Sequence, residues 1–141
     1  MPHRTGQPRV FIVDDEHMIA SSLATILRHS GFDAIAFTHP LDVLQAAQAE
    51  APDLLISDLL MPGMSGIDLG IRMQQLHPSC KILICSGQSS DQQILADARA
   101  EGHNFELLVK PMHPKDLLKR IHQVTGNSPP LPTVGELLAG I

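Results

Sequence analysis

The chain has 141 residues, 43% of them hydrophobic, a net charge of −5 and no Trp or Tyr. That length suits one compact domain, and the acidic balance offers no basic footprint for nucleic acid and no polybasic patch for a membrane surface. No run approaches the ~20 apolar residues of a membrane span, and the opening MPHRTG leads into no signal-peptide core.

Arg9 to Val13 is an apolar run that predicts a first strand, ending at Asp14 and Asp15. Ile19, Leu23, Ile26 and Leu27 then recur at helical spacing until Gly31. Phe32 to Phe37 predicts a second strand. Pro40 suits the first position of a helix carrying Leu41, Leu44 and Ala47 on one face, which Pro52 ends. Asp53 to Ser57 predicts a third strand that delivers Asp58. Leu69, Met73 and Leu76 mark a helix closing at His77-Pro78. Lys81 to Cys85 predicts a fourth strand, running into Ser86-Gly87. At strand spacing, Cys80 and Cys85 lie about 16 Å apart on opposite faces, too far for a disulfide. Two reduced thiols suit the cytoplasm, the expected location.

Ser90 and Gln93 have the spacing of a capping box for a helix carrying Ile94, Leu95 and Ala98. Phe105 to Val109 predicts a fifth strand, ending at Lys110-Pro111, and Pro114 opens a last helix with Leu117, Ile121 and Val124. Near-continuous apolar strands separated by helices predict an α/β fold, a parallel sheet covered on both faces and joined by right-handed crossovers. The expected divisions are a tail over 1–8, one domain over 9–125, and a Pro/Gly-rich linker (GNSPPLP from Gly126) and tail over 126–141 with no output domain.

Open parallel sheets bind ligands outside the carboxyl ends of their strands. At those ends this sequence puts Asp14 and Asp15, Asp58, Ser86 and Lys110. Each has an ordinary use alone, as a helix-start carboxylate, a turn residue or a solvated lysine. Together they pose an electrostatic problem. Two carboxylates about 5 Å apart repel by roughly 3 kcal/mol at an effective dielectric near 20. A third would drive one of them to protonate unless cations intervene. Lys110 supplies one positive charge; a hard divalent cation with oxygen ligands, Mg2+ first, would complete the balance. A carboxylate so placed can act as a nucleophile toward phosphorus. The cation and Lys110 would then face the phosphoryl oxygens, and Ser86 could bond one of them.

VDDE at 13–16, SDLLMPGMSG at 57–66, CSG at 85–87 and VKP at 109–111, in that order, resemble the receiver domain of two-component response regulators over Arg9 to Val124. The resemblance implies a flavodoxin-like (βα)5 three-layer sandwich with strand order 2-1-3-4-5. It implies that Asp58 is the phosphoacceptor of a histidine kinase or phosphotransfer protein. It further implies that Asp15, Asp58 and the Leu60 backbone carbonyl bind Mg2+, with Asp14 assisting through water. Lys110 and Ser86 would contact the phosphoryl group, with a cis bond from Lys110 to Pro111. Signalling would run through protein contacts at the helix-four, strand-five and helix-five surface, to a downstream partner or output domain, with homodimerisation left open and no role for nucleic acid or membrane.

The alternatives are a pseudo-receiver that binds partners without phosphorylation and a metal-dependent aspartyl phosphohydrolase. The latter carries Asp-x-Asp on its first strand, whereas Asp14 and Asp15 are adjacent. The chain also departs from the family: where receivers carry Tyr or Phe three residues before the lysine, it has Leu107, and Phe105 lies five before. Leu107, or Phe105 after a local shift, is the expected partner of Ser86 in switching. Met61 and Met64 should pack the loop after Asp58, with Leu60 and Gln88 flanking the entrance. The eight histidines show no ligand spacing and read as surface residues.

Overall fold

The computed structural model describes residues 7–87, 91–103, 105–111 and 113–126. Five strands alternate with five helices: β1 (Arg9–Val13), α1 (His17–His29), β2 (Asp33–Phe37), α2 (Pro40–Ala49), β3 (Leu54–Asp58), α3 (Gly66–Leu76), β4 (Lys81–Ser86), α4 (Asp91–Ala100), β5 (Glu106–Val109) and α5 (Pro114–Thr125). All neighbouring strands are parallel, in the order β2-β1-β3-β4-β5. This is the flavodoxin-like three-layer sandwich expected from the sequence. Among the described residues, no helix is long and apolar enough to cross a membrane.

Strand alternation builds two cores, one on each face of the sheet. Phe11, Val13, Leu55, Ile82 and Ile84 pack with Val43, Ala47, Leu69, Met73, Leu95 and Ala98 of α2, α3 and α4. Val10, Ile12, Ile56, Leu83 and Leu108 pack with Ala24, Leu27, Leu117 and Ile121 of α1 and α5. Cys80 belongs to the first core and Cys85 to the second, both as free thiols, so the expected separation onto opposite faces holds. At the amino-end rim, the buried Arg9 side chain pairs with Asp33 at 3.3 Å and Glu50 at 2.9 Å, while its backbone N–H donates to Asp53 at 2.7 Å.

Local signals explain where elements stop. After α1, Gly31 adopts φ 94°, its N–H donates to the Arg28 carbonyl and that of Phe32 to the Leu27 carbonyl. This is a Schellman ending, with Phe32 and Leu27 in the same core. Gly102 ends α4 in the same way, through Arg99 and Ala98. Phe32 therefore closes a helix rather than opening β2, and the predicted strand loses its first residue.

Two further expectations are corrected. On α2 the buried stripe is Pro40, Val43 and Ala47, while Leu41 is 55% exposed, because the sheet meets the helix one residue round from the predicted face. Phe105 stands before β5 and turns away from it: a Cβ on Gly70 would lie 3.0 Å from its ring, so the ring fills the gap a glycine leaves on α3. The histidines that cap helices are exposed, as expected, and also have structural partners. The ring Nδ1 atoms of His39 and His113 accept from the backbone N–H groups of Leu41 and Lys115, capping α2 and α5. His77 Nε2 lies 2.6 Å from the Ala47 carbonyl oxygen, and His122 packs on Phe32. The proposed cap at Ser90, the flank at Gln88 and the linker beyond Gly126 lie outside the described residues.

Two stability predictions follow from this packing. Gly70→Ala should cost about 1–3 kcal/mol by overpacking, and Phe105→Leu in the same chain should recover part of it; an additive pair in urea denaturation would contradict the contact. His39→Ala and His113→Ala should each cost about 1 kcal/mol as lost caps, while His→Asn at either position restores most of it.

Candidate functional site

The carboxyl ends of β1, β3, β4 and β5 converge at one rim. Val13 pairs with Ser57, Asp58 with Cys85 and Ser86 with Val109, so the residues that follow or end each strand stand side by side. Asp14 is buried: its N–H donates to the Phe37 carbonyl, and its Oδ1 accepts from the Glu16 backbone N–H at 2.9 Å. Asp15, one residue on, is exposed. Asp58 is half-buried. One carboxylate oxygen from each of these three aspartates lies within 4.8 Å of the others.

Lys110 reaches into this group from the end of β5. Its Nζ donates to Asp14 Oδ2 and to Asp58 Oδ1, each at 3.2 Å. The backbone helps aim it, because the Lys110 N–H donates to the Ser86 carbonyl at 2.7 Å; the following bond to Pro111 is cis, as expected. Ser86 itself is buried at the last position of β4. Leu60, at the mouth of the site, is 54% exposed.

Burial is the largest influence on Asp58 and raises its carboxyl above the ordinary range. Lys110 pulls the other way, but Asp14 and Asp15 push up with it, and the balance stays raised. Burial alone would lower the Lys110 ammonium; Asp58 and Asp14 outweigh it, so this group also stays raised and charged. Beneath the rim, burial pushes the Cys85 thiol up to about 12, with the two nearby carboxylates adding to it against Lys110. Such a thiol is no nucleophile. The rim therefore combines an excess of negative charge, one fixed cation and a partly open carboxylate. An all-oxygen donor set of this kind matches a hard divalent cation better than a soft transition metal.

The predicted site residues divide in two. Asp14, Asp15, Asp58 and Lys110 come together; Ser86 lies at the same rim. Phe105 does not, since its ring packs against Gly70 of α3 within the first core. Leu107 is half-buried and lines a cavity of about 480 Å³ with Gln92, Gln93, Leu95, Ala96 and Arg99. Met61 and Met64 pack against the first core, as expected. Sequence reasoning passed over Ser57 and Gly66, which surround the Asp58 backbone. The available signal was Ser57 itself, a polar residue at a core-facing position of an apolar strand.

A family model described as the response regulator receiver domain matches residues 10–122. Among curated proteins, the DNA-binding response regulator MtrA of Mycobacterium tuberculosis is 28% identical over 117 residues, 83% of this chain and 50% of that protein. The transcriptional regulatory protein CreB of Escherichia coli is 30% identical over 112 residues, 79% of this chain and 48% of that protein. The chain thus spans about half the length of these relatives. Among solved structures, the chemotaxis protein CheY4 of Vibrio cholerae superposes with a TM-score of 0.75 at 29% identity, covering 84% of this chain and 99% of that one. A CheY-like receiver domain from Methanospirillum hungatei gives 0.77 at 26% identity, with 86% and 95% covered. With a family match running from β1 into α5 and the same five-stranded topology, the chain belongs to the response regulator receiver domain family of two-component systems.

Proposed function

We propose that this domain is a phosphorylation-controlled switch in which Asp58 accepts a phosphoryl group from a phosphohistidine of a kinase or phosphotransfer protein. The observation that carries this reading is the Lys110 ammonium at 3.2 Å from both Asp14 and Asp58. In the transfer, an Asp58 carboxylate oxygen attacks phosphorus, the P–N bond of the donor breaks, and the leaving imidazole takes up a proton. Lys110 stays charged throughout and shifts its hydrogen bonds from Asp58 to the new phosphoryl oxygens. Asp15, Asp58 and the Leu60 carbonyl would hold Mg2+, with Asp14 behind them through water; the ion supplies charge neutralisation at the phosphoryl oxygens.

Ser86 would bond one phosphoryl oxygen once Asp58 is modified, and the half-buried Leu107 beside its cavity is the side chain with room to follow. Phe105, wedged against Gly70, has none. Exposed Leu60 would limit water at the acyl phosphate and lengthen its lifetime. The signal would pass to a downstream protein partner or output region by contacts on α4, β5 and α5, a regulatory role rather than turnover of substrates. A net charge of −5 favours protein over nucleic acid as the direct target.

Incubation with Mg2+ and a small phosphodonor such as acetyl phosphate should add one phosphoryl mass to the wild-type chain and none to Asp58→Asn. No mass gain would point to a pseudo-receiver, and rapid release of phosphate from unrelated esters to a hydrolase. A second test reads the charge balance. Because the native carboxyl of Asp58 holds its proton more readily than the unfolded one, the ion-free protein loses stability as pH rises from the model value of 3.8 through the raised native value. Ion-free Asp58→Asn should therefore melt a few degrees above wild type at pH 7, with the gap closing as pH falls. Saturating Mg2+ should invert the order, since a ligand at 100 times its Kd adds about 2.7 kcal/mol to the protein that binds it. An Asp58→Asn protein that melts below wild type without the ion would refute the claimed charge excess.

A further inference from the structure

We propose that Ser57 is a positioning residue of the phosphoacceptor site: its hydroxyl and the α-carbon of Gly66 grip the backbone carbonyl of Asp58 and set the departure of the loop that carries Leu60. This rests on the phosphoacceptor role argued above for Asp58.

Ser57 is completely buried, in a strand whose other core residues are Leu54, Leu55 and Ile56. A buried hydroxyl is costly unless bonded, and this one does not serve a distant core partner. It donates to the Asp58 carbonyl oxygen at 2.9 Å. Gly66 closes the other side of that oxygen. A Cβ on Gly66 would stand 2.3 Å from Asp58 O, 3.1 Å from Asp58 C and 3.0 Å from Ser57 Oγ. The requirement for glycine here is close approach, so α3 begins in contact with the peptide group of Asp58 itself.

The next residue locks the arrangement. Leu59 N–H donates to the Cys85 carbonyl at 2.9 Å, and the Leu59 carbonyl accepts from Gly66 N–H at 2.8 Å. Those two bonds close the base of the loop over 60–65, and Ser65 caps α3 by accepting from the Asp68 N–H at 3.1 Å. The Asp58 peptide is therefore held by the ladder to β4, by a hydroxyl and by a glycine wall. Rotation of that peptide would swing both the Asp58 carboxylate and the Leu60 carbonyl, which the proposed ion site needs together. Ser57 touches neither donor nor ion; it acts through the backbone.

Three readouts on the full chain test this: Mg2+ affinity by calorimetry, the rate of mass gain from acetyl phosphate at saturating Mg2+, and amide hydrogen exchange at Gly66 without metal. Ser57→Ala should lower both Mg2+ affinity and rate by roughly three- to ten-fold, the equivalent of one lost hydrogen bond, and should speed exchange at Gly66. Ser57→Thr, which keeps the hydroxyl on a residue suited to a strand, should stay within about two-fold of wild type. A purely structural serine would lower the melting temperature and speed exchange at Gly66 and at core amides alike while leaving Mg2+ affinity and rate alone, which would overturn the proposal. So would equal losses in Ser57→Ala and Ser57→Thr. Should Ser57→Ala fail to fold, Ser57→Cys, with a similar volume and a poor donor, takes its place. If wild type gains no phosphoryl group, the phosphoacceptor role fails on its own account, while Mg2+ affinity and exchange still decide whether Ser57 positions the rim.

Discussion

The Lys110 ammonium, shared between Asp14 and Asp58 at 3.2 Å from each, ties the ends of β5, β1 and β3 into one rim. The residues it joins are 96 and 52 positions away in sequence, so the site exists only when the whole sheet has formed. Its geometry depends on the strand order. Because β3 lies between β1 and β4, the third-strand aspartate sits next to the first-strand pair, and β5 lies close enough for a lysine to span the gap.

One cation does not neutralise that rim. Burial lifts the Asp58 carboxyl, and the neighbouring aspartates add to the lift despite Lys110. This resting imbalance is the useful property, because the site gains most from whatever brings positive charge. Fully paired carboxylates would be more stable and less responsive. The opposite rim of the sheet shows the contrast. Arg9 there is nearly covered and ties β1 to Asp33 at the start of β2 and to Glu50 after α2. It staples elements together, with one buried cation facing two partly exposed carboxylates.

Rigidity beneath the rim matters as much as charge. The Asp58 peptide is enclosed by Ser57, Gly66 and the β4 ladder, while Leu60 just beyond it is exposed. Under the proposed switch role, a fixed base with an open mouth would let a donor approach without the acceptor moving. The aromatic content follows a similar economy. Phe105 is spent on filling the space over Gly70, leaving the smaller Leu107 beside the cavity near α4.

Much of this was legible in the sequence, because the controlling signals are local. Apolar runs, helical spacing at 19, 23, 26 and 27, and the Gly and Pro stops determined the number, type and order of elements. The placement of Asp14, Asp15, Asp58, Ser86 and Lys110 at strand ends followed from those boundaries. Only the tertiary structure decided the rest. Which stripe of α2 faces the sheet, which side of the sheet takes Phe105, and that His39 and His113 cap helices depend on how finished elements dock. The grip of Ser57 and Gly66 on Asp58 likewise arises from the approach of α3 to β3. Local periodicity records which residues prefer burial; it does not record the distance between two backbones that meet only after the chain has folded.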